Sequence, residues 1–408
     1  MAISLKENIT VGFSDFWSRK IRSIITVMGI VLGTMSIIVV LALVKGINNQ
    51  TMKWMMERGG LSKITVSRNW QYDKPDYVRN YFTWKELELI HSLIPEAKYF
   101  NPQQRQWIRH SYKDKDYRTS IHGVLPDFSK IEEWDVQEGR FISSFDIEQS
   151  NDVVVIGTTI KDELFGNKKA VGEIITVKDR RLKVIGIMAF RYMKNSGAIG
   201  NENSFSYLNR RSFTPLTTMI NKGSGNDKIS SFTLKAQDVE SAPALREKLN
   251  NIILNLRRGL PVFEVESAKE EAEEMAQNQK MFQTIFYIIS VISLLVGAIV
   301  IANIMLATIQ ERTREIGIRL TVGARRRDIF VQFLVQTILV TTIGGIVGII
   351  IGLSLLNLVS NFLGIELIAG VGMIFVALIV SAGVGFISGI IPAIIASKLD
   401  PVEALRYE

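Results

Sequence analysis

The chain has 408 residues, of which 47% are hydrophobic and 22% are charged, and its formal net charge is +8. This length exceeds that of a typical single domain, so we expect two structural units. Cysteine is absent, which excludes a disulfide framework and a metal site with cysteine ligands.

Four long segments contain no charged residue. They are residues 23–44, 281–310, 329–365 and 367–397. A bilayer core requires about 20 apolar residues per helix, whereas a buried helix of a soluble protein needs about 10–14. We therefore predict a membrane protein with four transmembrane α-helices, at residues 23–58 with an outer stalk, 267–310 with a stalk, 329–356 and 370–396. The first segment is too long for a cleavable signal peptide and should remain as an anchor.

Lysine and arginine near the predicted helix ends indicate the orientation, because cytoplasmic loops carry an excess of them. Residues 1–22 contain Lys6, Arg19, Lys20 and Arg22, and the loop at 311–328 contains six arginines. The connection at 357–369 contains neither residue type, and the tail at 397–408 contains Lys398 and Arg406. We expect both termini and the arginine-rich loop in the cytoplasm. The positive charge is partly topological, so we predict no nucleic-acid partner.

Residues 59–266 have the composition of a soluble domain, and we predict an extracytoplasmic α+β domain between the first and second membrane helices. A helical extension of the first span should end at Gly59-Gly60. The predicted strands are residues 61–66, 106–110, 117–122, 153–157, 174–177, 182–187, 231–234 and 262–265. The predicted helices are residues 84–93 with Thr83 as N-cap, 159–164 and 242–256.

The outer domain is predicted to have two lobes. One combines residues 59–122 and 229–266, and the other is residues 123–228. Two polar segments, 194–203 and 221–228, are expected to be mobile loops or lobe boundaries. Ser267 and Glu270 fit a capping box that would start the second membrane helix well outside the bilayer. Glutamates follow in that helix, and we favour a solvated face over a contact patch for them.

Residues with catalytic spacing are missing from the sequence. There is no G-x-x-x-x-G-K-[ST] phosphate-binding loop and no G-x-S-x-G turn. His91, His110 and His122 lack the i, i+4 spacing of two ligands on one helix face, and we expect partly buried structural roles for them. We predict no catalytic, cofactor-binding or metal-binding residues. The spans lack central charged residues, which disfavours a secondary transporter.

Glycines at four-residue spacing occur in three of the predicted membrane helices. Such spacing places glycines on one face and lets helix backbones approach closely. Packing within the four-helix unit and dimerisation both remain open as their role. Pro392 is expected to kink or end the fourth helix. The glycines are Gly29, Gly33, Gly344, Gly348, Gly352, Gly385 and Gly389.

The loop at 311–328 has the most distinctive sequence in the chain. We predict a short charged helix with an apolar side formed by Ile316, Ile318 and Val322, ended by Gly323. A plain positive-inside loop would explain its arginines but not its ordered apolar and glycine positions.

The segment E-R-T-R-E-I-G-I-R-L-T-V-G-A-R-R-R-D-I, residues 311–329, resembles the loop of the FtsX-like permeases of MacB-type ABC transporters. The C-terminal L-D-P-V-E-A-L-R, residues 399–406, resembles the family's signature at that end. In the outer domain, G-R-F at 139–141, V-V-I-G at 154–157, L-F-G at 164–166 and V-I-G at 184–186 resemble the MacB-like periplasmic core.

The resemblance implies a homodimeric permease of the inner membrane driven by a separate ATPase, which would hold ATP and magnesium while this chain binds no cofactor itself. It implies that the loop couples to the ATPase and that stalk movement drives the outer lobes, which would correspond to the family's porter part and inserted lobe. Export with a periplasmic adaptor and an outer-membrane channel is the leading expectation. Lipoprotein release of the LolC/LolE type and an FtsX-like signal-transmitting scaffold are the alternatives. The implied coupling residues are Glu311, Arg312, Arg314, Glu315, Ile316, Gly317, Ile318, Arg319, Val322, Gly323 and Ala324.

Overall fold

The structure is a computed structural model that describes residues 20–73, 75, 77–193, 203–224 and 227–406. Lys6 and Arg19, most of the predicted loop at 194–203 and part of that at 221–228 lie outside these residues. The described chain forms two compact units. One contains the residues up to Asn48 and from Asn278 onward, and the other is Asn49–Gln277.

The described residues contain thirteen α-helical segments and ten strands. The helices are α1 Lys20–Met56, α2 Trp84–Leu93, α3 Phe128–Glu132, α4 Ser144–Glu148, α5 Thr158–Phe165, α6 Ser206–Asn209, α7 Leu216–Thr218, α8 Ala242–Leu256, α9 Ala268–Glu311, α10 Thr313–Thr321, α11 Arg326–Leu363, α12 Val371–Ser397 and α13 Pro401–Arg406. A π-helical turn, Met219–Ser224, follows α7. The strands are β1 Lys63–Arg68, β2 Ala97–Tyr112, β3 Lys115–Val124, β4 Val136–Gly139, β5 Val153–Ile156, β6 Ile174–Val177, β7 Arg180–Met188, β8 Ser212–Pro215, β9 Ser231–Ala236 and β10 Phe263–Ser267.

Four helices in the described residues, α1, α9, α11 and α12, are long and apolar enough to cross a membrane. This confirms the predicted four-helix layout with the α+β domain between the first and second spans. Large apolar side chains lie on their outer surfaces, for example Ile299, 60% exposed, and Ile379, 70% exposed. Such surfaces are compatible with lipid, where all backbone polar groups must be satisfied within the helix.

Pro392 does not end the fourth membrane helix, because α12 continues past it to Ser397. Proline lacks the backbone N–H and removes one hydrogen bond inside a helix. The Pro392 side chain is buried in the first unit, where packing holds the surrounding helix. The part of the prediction that placed a helix end here is therefore wrong.

We call the second unit, Asn49–Gln277, the outer unit. It is built on a sheet with the strand order β10-β1-β9-β2-β3-β8-β5-β7-β4, and β6 pairs with β2 and β7. The 16-residue strand β2 joins the two halves of this sheet. Residues 97–103 of β2 pair with β9, and residues 104–112 pair with β3. One apolar core lies under β1, β9 and β10 with α2 and α8, and two others lie around β3, β5, β7 and β8.

The lobe limits are still a prediction, but the strand pairing differs from them at one point. The predicted limits include residues 104–122 in the lobe of residues 59–122 and 229–266, whereas β3 pairs with β8 and the end of β2 pairs with β6, both within residues 123–228. The reason is the length of β2, which passes continuously from one group of strands to the other.

The sequence signals at two helix ends of the outer unit have different outcomes. Thr83 caps α2 as predicted, and its backbone N–H donates to Glu86 Oε2 at 2.9 Å. Ser267 does not form the predicted capping box, since its buried hydroxyl has no hydrogen-bond partner. Ser267 is the last residue of β10 and is held in register opposite Ile64, while Glu270 pairs instead with Arg246 at 3.2 Å.

Candidate functional site

Helix α10 occupies the loop between the second and third membrane helices and ends as the sequence predicts. Gly323 has φ +104°, a conformation that favours glycine. Its N–H donates to the Leu320 carbonyl at 3.2 Å, and the Ala324 N–H donates to the Arg319 carbonyl at 3.0 Å. This pair of bonds is the Schellman motif, which satisfies the last carbonyls of a helix. After it, the Arg325 N–H donates to Asp328 Oδ2 at 3.2 Å as α11 begins.

One face of α10 is buried in the first unit. Thr313, Ile316 and Gly317 are buried at the i, i+3, i+4 spacing of a single helix face. Ile316, 3% exposed, belongs to an apolar cluster with residues of α9, α11 and α12, including Ile309, Ile329 and Ala396. The helix is therefore fixed to the membrane helices by packing and is not a loose loop.

Gly317 allows the C-terminal helix α13 to lie directly against α10. A Cβ atom at position 317 would be 2.7 Å from the Ala404 Cβ, closer than real side chains approach. Ala404 is buried, and its N–H donates to the Asp400 carbonyl at 2.9 Å in the first turn of α13. The sequence placed Gly317 in the coupling set, and the structure adds Ala404 of the C-terminal signature as its neighbour.

The opposite face of α10 is exposed and combines charged and apolar side chains. Arg314 and Glu315 are exposed, Ile318 is 47% exposed and Val322 is 83% exposed. The predicted apolar side of Ile316, Ile318 and Val322 is therefore wrong in one member. Residues two apart are about 200° apart around a helix, so Ile316 faces inward while Ile318 and Val322 form an exposed i, i+4 pair.

The remaining predicted coupling residues lie at the ends and flanks of α10. Arg319 is partly buried, and its Nη1 donates to Gln332 Oε1 on α11 at 2.9 Å. Glu311 and Arg312 lie at the junction with α9, Gly323 is exposed and Ala324 is half-buried. The exposed residues of this set can contact another protein. The half-buried Arg319 instead anchors α10 to α11, the third membrane helix.

Two predicted glycines bring α1 and α9 into close contact. A Cβ at Gly29 would be 3.1 Å from the Gly297 Cα, so the two backbones touch. Gly33 faces the Leu294 side chain, and Ser36 Oγ lies 3.3 Å from Ser290 Oγ further along the same interface. Gly297 carries no such sequence signal, because it is a lone glycine without a partner at four-residue spacing.

The other predicted glycines lie at interfaces of α11 and α12. Gly348 packs against Thr34 and Val31 of α1, and Gly352 is 3.4 Å, measured from a built Cβ, from the Met35 Cα. Gly385 and Gly389 pack against Thr341 and Thr337 of α11, and Gly344 is buried in α11. These contacts are within one chain. A role of the same glycines in dimerisation stays a prediction.

Arg191 is a functional candidate of the outer unit that the sequence did not reveal. Its side chain is 5% exposed. Its Nη2 donates to the carbonyls of Glu132 and Glu133 at 2.7 and 3.0 Å, and its Nη1 donates to the Glu57 carbonyl. The guanidinium also lies 4.8 Å from the Trp134 ring centre. Arg191 thus connects the segment after α1 to the end of α3.

Lys63 and Gly59 complete this junction. The Lys63 ammonium donates to Glu132 Oε1 at 2.5 Å and to the Arg58 carbonyl at 3.0 Å. Burial lowers the pKa of Lys63, and the Glu132 carboxylate opposes that effect. Gly59 has φ +102°, and a Cβ there would collide with the Ile131 carbonyl. We call Glu57, Gly59, Lys63, Glu132, Glu133 and Arg191 the stalk junction.

The histidines have structural surroundings. His110 Nε2 lies 2.8 Å from Ser212 Oγ, and burial lowers the pKa of His110 to about 4. His122 is buried beside Ser120, and the His91 ring stacks on Phe100 at 4.8 Å. Within the described residues no group of three or more histidine, aspartate or glutamate side chains is placed to hold a metal ion.

Four apolar helices, a packed helix between the second and third, and a large α+β insertion after the first define an integral membrane protein of the permease type. Residues 23–252 match the MacB-like periplasmic core domain, and residues 287–401 match the FtsX-like permease C-terminal domain. The chain belongs to this family of MacB-like, FtsX-like ABC transporter permeases. It is accordingly an inner-membrane protein with its large domain on the outer side.

Several curated relatives align over nearly the whole chain. The macrolide export ATP-binding/permease protein MacB of Bdellovibrio bacteriovorus is 30% identical over 411 residues, covering 98% of this chain and 62% of that protein. The uncharacterized ABC transporter permease YknZ of Bacillus subtilis is 28% identical over 413 residues, covering 100% of both chains. The chain thus spans about three fifths of the length of the MacB proteins.

The chain also has a similarity to a solved structure. The periplasmic region of MacB from Actinobacillus actinomycetemcomitans aligns with a TM-score of 0.46 and 17% identity, covering 55% of this chain and 97% of that one.

Proposed function

We propose that this permease is the membrane subunit of an ABC exporter whose ATP hydrolysis takes place on a separate ATPase chain. The observation that carries the proposal is that α10 is buried on one face and exposed on the other. Its buried face packs against the membrane helices. Its exposed face presents Ile318 and Val322 beside the charged side chains of Arg314 and Glu315. A rigidly mounted apolar pair with charged flanks has the composition of a protein-binding surface.

The proposed mechanism is the transmission of movement from the ATPase to the outer domain, with no substrate passing between the membrane helices. Two features support it. The helices α1 and α9 each contain residues of both units. In the stalk junction, the buried Arg191 side chain joins Glu57, directly after α1, to the end of α3 by hydrogen bonds. The membrane segments 23–44, 281–310, 329–365 and 367–397 also contain no charged residue of the kind that ion-coupled transport normally uses.

We further propose that two copies of the chain work together, with both termini and α10 in the cytoplasm. The arginine excess at 311–328 supports this orientation. ATP and magnesium would be held by the ATPase chain. A periplasmic adaptor and an outer-membrane channel are proposed as outer partners, by analogy with the macrolide export named for the MacB relatives.

Co-purification tests the ATPase assignment. A tagged chain isolated in mild detergent should recover an ABC ATPase, and Val322→Asp should abolish this recovery because it places a charge in the apolar pair. Val402→Asp is the matched control, since Val402 is 69% exposed on the neighbouring helix α13 and lies outside the predicted surface. Recovery of no ATPase, or equal loss with both variants, would contradict the proposal.

A further inference from the structure

The outer unit carries a basic surface with an exposed tryptophan. Neither the folding of this unit nor the proposed contact of α10 with the ATPase explains this surface. In the β2–β3 pair, Arg109 lies opposite Arg118, and Trp107 lies opposite Ser120. Residues at alternate positions of a strand share a face, so Arg105, Trp107, Arg109 and Arg118 lie on one face of the sheet. We call these four residues the basic sheet patch.

All four side chains of the basic sheet patch are exposed. Trp107 is 62% exposed, and the Arg109 side chain is 70% exposed. The Arg105 guanidinium lies 5.1 Å from the Trp107 ring centre, which holds the indole in a defined position. The patch is therefore an ordered surface with a large apolar group surrounded by positive charge.

The opposite face of the same strands supplies the packing that folding needs. Ile108, Ile121 and Tyr117 of that face belong to or contact the apolar core. The exposed face instead places two arginines directly opposite each other, and like charges at such positions destabilise a sheet. Asp116 contacts Arg109 at 3.2 Å and compensates one of the three arginines. Folding alone gives no reason for this arrangement.

Arginine and tryptophan are the residue types that most often dominate the binding energy of protein interfaces. The guanidinium group binds carboxylates with two parallel hydrogen bonds. We infer that the basic sheet patch is the docking surface for an acidic segment of a protein partner on the outer side of the membrane. The inference rests on the proposed function only in that the proposed exporter works with an outer partner, and it does not involve α10.

A binding measurement on the full chain tests the charge chemistry. The chain is placed in nanodiscs of zwitterionic lipid without ATPase and titrated with fluorescein-labelled poly-L-glutamate, with anisotropy as the readout. We expect Arg109→Gln/Arg118→Gln, and separately Trp107→Ala, to weaken binding by about tenfold or more. The control Arg181→Gln/Lys183→Gln removes two exposed positive charges from β7 of the same sheet and should change affinity by less than about twofold.

Two results of this titration would overturn the inference. Equal weakening in both double variants would show attraction to net charge without a docking surface. Failure to bind poly-L-glutamate, with arginine-dependent binding of phosphatidylglycerol vesicles instead, would assign the patch to a membrane surface. Neither result bears on the recovery of an ATPase, so failure here and failure of the proposed function are distinguishable.

Cross-linking in cells tests whether the partner is a protein. An aromatic photo-cross-linking amino acid in place of Trp107, which keeps a ring at this position, should form an adduct with a protein segment of net negative charge. The adduct should disappear with Arg109→Gln/Arg118→Gln and persist with Arg181→Gln/Lys183→Gln. No adduct, an adduct with lipid alone, or one with an uncharged or basic segment would contradict the inference.

Discussion

Replacing Arg191 with alanine should destabilise the stalk junction by several kcal/mol. The guanidinium donates to three backbone carbonyls, and a hydrogen bond from a charged group contributes about 1.5–3 kcal/mol. Because such bonds are not additive, we expect the loss of about 3–5 kcal/mol that follows removal of one partner from a buried charged network. Arg191→Lys keeps the charge but loses the planar geometry, so about half of this loss is expected.

Hydrogen exchange of the full chain, followed by mass spectrometry, measures this loss where it should occur. Peptides covering residues 128–139 should lose protection in Arg191→Ala, since local opening sets the exchange of buried amides. Arg109→Ala is the control for the loss of one arginine. Arg109 forms one exposed ion pair, with Asp116 at 3.2 Å, so its removal should cost less than about 1 kcal/mol. Equal exchange in the two variants would refute the role assigned to Arg191.

Three further predictions concern packing and pH. Gly29→Val should lower the thermal stability of the chain in detergent by about 1–3 kcal/mol, because the new side chain meets the Gly297 backbone, whereas Gly372→Val meets nothing within 4 Å and should have a smaller effect; equal melting temperatures would contradict the close contact. Gly317→Val should displace α13 and expose its residues to protease while the outer unit keeps its stability; unchanged cleavage would contradict the contact with Ala404. Burial lowers the pKa of His110 from 6.5 to about 4, so the unfolded state takes up the proton first, and the free energy of unfolding should fall by about 3 kcal/mol as pH drops from 6.5 to 4. In His110→Gln, the free energy of unfolding measured with urea should depend less on pH over that range. An unchanged dependence on pH would contradict this account.

The membrane helices could be predicted from sequence because each requires only a long uncharged segment, and such segments have few alternative structures. The end of α10 was also predictable, since Gly323 supplies a backbone conformation that other residues rarely adopt. The predicted apolar side of α10 is wrong at Ile316, because this residue lies on the opposite side of the helix from Ile318 and Val322. A helical projection separates Ile316 from Ile318 without any structure.

Other features depend on contacts between distant residues. Strand β2 is longer than predicted, since it continues through Pro102. Proline normally argues against a strand interior, but here Pro102 lies in register opposite Phe232 of β9, and this pairing holds the strand. Arg191 has backbone carbonyls as its main partners, and a carbonyl leaves no signature in the residue type that carries it. The short helices α3 and α4 have five residues each, too few for a helical period to be visible.

The central proposal is that ATP hydrolysis by a partner chain moves the outer domains, with the movement transmitted along the membrane helices. Since the chain has no cysteine, Glu163→Cys, at an exposed position of α5, gives one spin label per copy. The ATPase recovered with the unaltered chain is added in excess to each variant in nanodiscs, and the distance between the labels of two copies is measured with and without ATP. The account predicts a distance that changes on addition of ATP and does not change in Val322→Asp. Two results would contradict it. One is an equal distance with and without ATP in the labelled chain that keeps Val322. The other is an ATP-dependent change of distance that persists in Val322→Asp.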